Sequence, residues 1–173
     1  MLPFGAVPWY AVHVQSNFER RVVRFLEGRR GPETFLPTYH TRSRRAGGPP
    51  TIERPLFPGY LFARLESLGA PRVAVLQAPG VVRVVEFGGR AAPVPEETIV
   101  SLRIIVSGPR EARPHPLLRE GQAVRVVAGP FAGAAGRLSR GRGRKPRLVV
   151  TIELLGRAAA VPVDLADVEP VFG

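Results

Sequence analysis

The sequence predicts an α+β domain, a mostly antiparallel sheet with helices packed on one face, followed by a small all-β barrel. Three observations carry this reading. Up to about residue 106 the segments run strand, helix, a group of strands, short helix, strand, helix, and the economical way to bury such a set is an antiparallel sheet with helices on one side. "SGPREARPHPLL", Ser107 to Leu118, then brings three prolines and little periodicity. Beyond it the apolar residues alternate between glycine turns, and no long helical period returns. The expected layout is a first domain over 1–106, a flexible linker over 107–118 and a β domain over 119–173.

"WYAVHV", Trp9 to Val14, alternates and is rich in β-branched and aromatic residues, as a strand should be. In "SNFERRVVRFLEGRRG" Phe18, Val22, Phe25 and Leu26 share one helical face, Ser16 and Glu19 have the spacing of a capping box, and Gly28 or Gly31 ends the helix. "ETFLPTY" and "TIERPLFPGYLFARL" give two or three strands around the polar "HTRSRRAGGPP", which suits a hairpin with a long basic tip. A short helix around "APRVAVLQ" and a strand "GVVRVVEF" follow. "VPEETIVSLRIIVSG" then has Pro95 and two acids at a helix start, Ile99, Leu102 and Ile105 or Val106 on one face, and Gly108 as its stop. In the second domain "AVRVV", "RLVVTIELL" and "AAAVPV" read as strands.

The chain has 173 residues, 45% of them hydrophobic, enough for a packed core. Its 25 basic residues against 14 acidic ones give +11, a balance that favours polyanions and above all nucleic acid. Both parts share the excess. Residues 1–116 hold sixteen arginines against nine acids, +7, and residues 117–173 hold nine basic against five acidic residues, +4. With no cysteine there is no disulfide frame, thiolate nucleophile or cysteine-bound zinc. The opening residues lack the basic segment of a secretory signal and no apolar run reaches spanning length, so a soluble, cytoplasmic protein without membrane contact is expected.

Catalytic constellations are missing from the sequence. His13, His40 and His115 fall in a strand, a hairpin and the proline-rich stretch, none with a second ligand at metal spacing. "GPFAGAAG" lacks the Gly-Lys-Ser/Thr ending with which a phosphate loop grips a nucleotide. Glu96 and Glu97 are adjacent and point different ways on a helix, and Ser43, Ser67 and Ser101 have no nucleophile elbow around them. The expectation is a binding protein without metal or cofactor, and not an enzyme.

"WYAVHVQSNFERRV", "FLPTY" and "ERPLFPGYLFARL" resemble the amino-terminal (NGN) domain of NusG-type transcription elongation factors. "EGQAVRVVAGPFAGAAGRL" is similar to the KOW module, an SH3-like barrel, that follows it in that family. "GVVRVVEFGGRAAPVP" and "PHPLLREGQ" look more like the operon-directed paralogues of the UpxY and RfaH kind. The resemblance implies that a hydrophobic patch seats on the clamp helices of the largest catalytic subunit of RNA polymerase, bridges the DNA channel and so suppresses pausing or termination.

Carried onto this sequence, the resemblance makes Tyr10, His13, Leu56, Phe57, Pro58 and Tyr60 the polymerase-binding residues. Pro58-Gly59 would kink the chain so that Phe57 stands beside Tyr60 at the mouth of an apolar depression; a buried Phe57 is the competing reading. Arg20, Arg21 and Arg24 on the first helix, and Arg42, Arg44 and Arg45 at the hairpin tip, would meet non-template DNA, or are solvated faces. Phe131 either offers an apolar edge to a small-subunit ribosomal protein or to Rho, or caps the barrel. Arg140, Arg142, Arg144 and Lys145 form a basic turn suited to RNA or to solvent. The other function the sequence allows is a ribosome-associated RNA-binding protein acting through its KOW module. A monomer with a β-folded second module is expected in either case.

Overall fold

The computed structural model describes residues 6–66, 69–116, 121–140 and 145–171. In chain order the elements are β1 (Trp9–Val14), α1 (Glu19–Gly28), β2 (Thr34–Phe35), β3 (Thr38–Arg42), β4 (Thr51–Pro55), β5 (Tyr60–Arg64), α2 (Ala70–Leu76), β6 (Val81–Val84), β7 (Glu86–Phe87), β8 (Arg90–Ala91), β9 (Pro93–Val94), α3 (Glu96–Ser107), β10 (Arg113–Pro116), β11 (Gln122–Val126), β12 (Ala135–Ser139), β13 (Arg147–Ile152), β14 (Arg157–Pro162) and β15 (Val168–Pro170). They form two compact units. One is Met1–Pro37 with Phe57–Glu96, and the other is Thr38–Leu56 with Glu97–Gly173.

The first unit is an antiparallel sheet in the order β2-β5-β1-β6, with β9 also paired to β1. Alternation along β1 sorts its side chains. Tyr10, Val12 and Val14 join Val22 and Leu26 of α1, Leu61 and Ala63 of β5, and Val75 of α2 in one core cluster. The amphipathic spacing of "ERRVVRFLEG" places Val22 and Leu26 in that core, as a stripe at three- and four-residue intervals must. The predicted capping box does not form. Helix α1 begins after Phe18, with no side-chain cap, because Asn17 turns the chain at φ 66 and the Glu19 carboxylate is engaged elsewhere.

In the second unit β3 and β4 form a hairpin from Thr38↔Pro55 to Arg42↔Thr51, as its two flanking strands and polar tip predict. The remaining strands make an antiparallel sheet in the order β10-β14-β13-β12-β11-β15, a strand-rich region that fits a KOW-like domain. The stretch expected as linker is corrected in part: Arg113–Pro116 is β10, laddered on Arg157–Ala160 of β14 despite its prolines, which an edge strand tolerates. Helix α3, expected to end the first domain, groups from Glu97 onward with the second unit. Ser101, fully buried, accepts a hydrogen bond from the Ala135 amide at 2.9 Å, and Glu97 pairs with Arg125.

Candidate docking turn and basic surfaces

The motif Leu56 to Tyr60 forms a tight turn between β4 and β5. The Tyr60 amide donates to the Phe57 carbonyl at 3.0 Å, and Gly59 sits at φ 84. Proline second and glycine third is the composition this turn demands, since only glycine takes that φ without strain. Two further bonds fix it to the rest of the unit. The Val14 amide donates to the Gly59 carbonyl at 2.8 Å, and the Gly59 amide donates to Glu19 Oε1 at 2.8 Å. Glu19, only 5% exposed, therefore holds a turn forty residues away rather than its own helix end.

Beside the turn, His13 and Tyr60 are cross-strand partners whose rings stack at 5.1 Å between centroids. A register shift in the β1–β6 ladder between His13 and Val14 bends the strand there. His13 Nδ1 is buried and meets no hydrogen-bond partner among the described residues. On the same side of β1, the Arg64 guanidinium lies over the Trp9 ring at 5.0 Å and pairs with Glu96 at 2.8 Å and Glu33 at 3.3 Å.

Three placements correct the expected site. Phe57 does not stand at a surface depression: it is 1% exposed, with its ring edge-on to Phe62 at 6.0 Å. Tyr10 lies in the core cluster on the opposite face of β1 from His13, as strict alternation requires. Leu56 is buried as well. The turn thus brings together His13, Pro58 and Tyr60, half-buried or exposed, and leaves Tyr10, Leu56 and Phe57 inside.

Arg20, Arg21 and Arg24 are exposed on α1, where the Arg21 guanidinium stacks on Phe18 at 5.3 Å. Arg42, Arg44 and Arg45 are exposed at the β3–β4 tip, where Ser43 Oγ accepts the Arg45 amide. In the second unit Phe131 is 2% exposed and so does not offer an apolar edge. Its ring packs directly on Gly108, where a Cβ would come within 2.2 Å of it. Arg140 and Lys145 are exposed; Arg142 and Arg144 lie outside the described residues.

Arg64 was not singled out by sequence, and Glu19 only as the capping-box partner of Ser16, not as the holder of the turn. A signal for Glu19 existed, since positions 19, 22 and 26 share the buried stripe and a carboxylate there needs a donor. For Arg64 nothing local announces the Trp9 ring across the ladder.

The profile of a family described as "Transcription termination factor nusG" matches residues 7–103, more than half of the chain. The chain belongs to the NusG family. A protein of Thermus thermophilus named "Transcription termination/antitermination protein NusG" is 32% identical, with 94% of this chain and 98% of the relative covered. One of the same name from Xylella fastidiosa is 31% identical over 93% of this chain and 97% of its own. Among solved structures, one titled "Domain interaction in Thermotoga maritima NusG" covers 95% of this chain and 97% of its own at a TM-score of 0.54; at 21% identity that likeness speaks for the fold alone. The NusG-family assignment accounts for the order of sheet, helices and strand-rich module along this chain.

Proposed function

We propose that this NusG-family chain is a transcription elongation and antitermination factor that docks on the clamp helices of the largest subunit of RNA polymerase, bridges the DNA channel and suppresses pausing or termination. The observation that carries this reading is the turn Phe57 to Tyr60, tied on both sides by backbone and carboxylate bonds, with the His13–Tyr60 stack beside it. Rings held at a rigid turn lose little freedom on binding, the quality an interface anchor needs. In this reading Pro58, Tyr60 and His13 make the contact, while Phe57 and Leu56 support the turn from inside. Arg20, Arg21 and Arg24 face non-template DNA, with the hairpin arginines Arg42, Arg44 and Arg45 as a second track. The second module takes a ribosomal protein or Rho, with Arg140 and Lys145 in reach of RNA.

The test is equilibrium binding to core RNA polymerase, with melting curves on every variant. Tyr60→Ala and His13→Ala together are expected to weaken binding by about thirtyfold, an anchor loss of about 2 kcal/mol, without lowering the melting point by more than a few degrees. Tight binding by that variant overturns the docking turn. Failure of the wild-type protein to bind, with steep salt-dependent affinity for structured RNA, moves the function to the ribosome.

A further inference from the structure

The most exposed large hydrophobic side chain among the described residues is Phe87, at 79%. It ends β7, and Gly88 and Gly89, at φ 61 and 76, turn the chain into β8. Paired positive φ angles are those of the tight hairpin turn whose twist matches its strands. A Cβ built at either glycine meets nothing within 4 Å, so the tip stands clear. Its base is fixed. The Val85 amide donates to the Ala11 carbonyl at 2.8 Å, and Glu86 pairs with Arg72 at 3.0 Å.

Phe87 is the direct cross-strand partner of Arg90, and directly opposed residues share a face of the ribbon. Arg90 and Arg83 are exposed, and neither has an ion-pair partner among the described residues. A protein-docking patch needs contiguous apolar surface, whereas the neighbours of Phe87 at the tip are Glu86, Gly88, Gly89 and Arg90. An unpaired nucleobase needs only one ring face and a cation for its phosphate. We propose that Phe87 is a stacking platform for an unpaired nucleobase of a single strand, with Arg90 taking the adjoining phosphate. This site is distinct from the arginines of α1 and of the β3–β4 tip, and it does not depend on polymerase docking.

The experiment is fluorescence anisotropy of the full chain with labelled oligothymidylate and oligouridylate of about 15 nucleotides, across a salt series. Phe87→Ala is expected to weaken binding about tenfold at every salt concentration, because stacking carries no charge. Arg90→Ala should flatten the log-log salt dependence by about 0.7, the share of one phosphate on a single strand. Phe87→Trp should restore affinity and show emission quenched by the strand, against a background set by the single, buried Trp9. A larger loss with one oligonucleotide identifies DNA or RNA as the source of the base. Equal affinity of wild type and Phe87→Ala for both strands overturns the proposal, as does unquenched emission from Phe87→Trp. A Phe87→Ala protein that keeps its oligonucleotide affinity but loses core polymerase also overturns it, in favour of a protein contact; the Tyr60 and His13 variants report on the docking turn separately.

Discussion

Two turns of the first unit each set a phenylalanine beside a glycine, and they dispose of it in opposite ways. In the turn at Pro58-Gly59 the ring of Phe57 goes inward against Phe62; in the hairpin at Gly88-Gly89 the ring of Phe87 is left in solvent. Glycine conformation does not separate them, because Gly59, Gly88 and Gly89 all take positive φ. What separates them is what the turn is fastened to. The first receives an amide from β1 and gives one to the Glu19 carboxylate of α1, so its ends are drawn down onto the sheet. The second is a two-residue ribbon held only at its base. A glycine turn presents an aromatic when nothing beyond its own ladder claims the loop.

That contrast can be broken, and the largest effect should come at Phe57. Phe57→Ala removes a fully buried ring and is expected to destabilise by about 3–5 kcal/mol, read as a fall in the midpoint of urea unfolding. A variant with an unchanged midpoint would mean that the inward turn contributes nothing to the fold. Next comes the second unit, where Phe131 belongs with Phe57. Gly108→Ala forces a methyl into that ring and should cost about 1–3 kcal/mol by overpacking, visible in a thermal melt, whereas Phe131→Ala added to it should recover part of the midpoint lost to the clash.

The fastening is tested at Glu19. Glu19→Ala leaves the part-buried Gly59 amide without its acceptor and is expected to cost about 1–3 kcal/mol, while Glu19→Gln, which keeps an oxygen in place, should lose less. Equal losses in the two variants would show that the carboxylate serves its helix and not the turn. The smallest change is expected at Phe87, where Phe87→Ala should stay within about 0.5 kcal/mol of wild type. A large shift there would erase the difference between the two turns.

Element types were legible where period carries them: β1, α1, α2, α3, β11, β13 and β14 announce their burial by spacing, whereas β12 and β15 were not singled out. The inward or outward choice of each aromatic was not. Phe57, Phe131 and Phe87 occur in similar glycine-rich surroundings, and their fates depend on Phe62, on Gly108 and, for Phe87, on a hairpin tip over which no described residue packs closely at Gly88 or Gly89, all set by tertiary proximity. The likeness to NusG-type factors singled out the Leu56–Tyr60 motif, but the ring it expected outside, Phe57, is buried, and Tyr60 is half-buried. Likewise β10 was hidden, since three prolines in twelve residues read as a linker until β14 supplies an edge to lie along.

The first unit is assembled from two stretches of chain with the β3–β4 hairpin between them, and this shapes its birth on the ribosome. Strand β1, from Trp9, is made before its antiparallel partner, which ends at Arg64. At roughly 5–20 residues per second, the apolar ladder of Trp9 to Val14 waits about 3–10 seconds for β5 to be synthesised. During that interval it is an open edge.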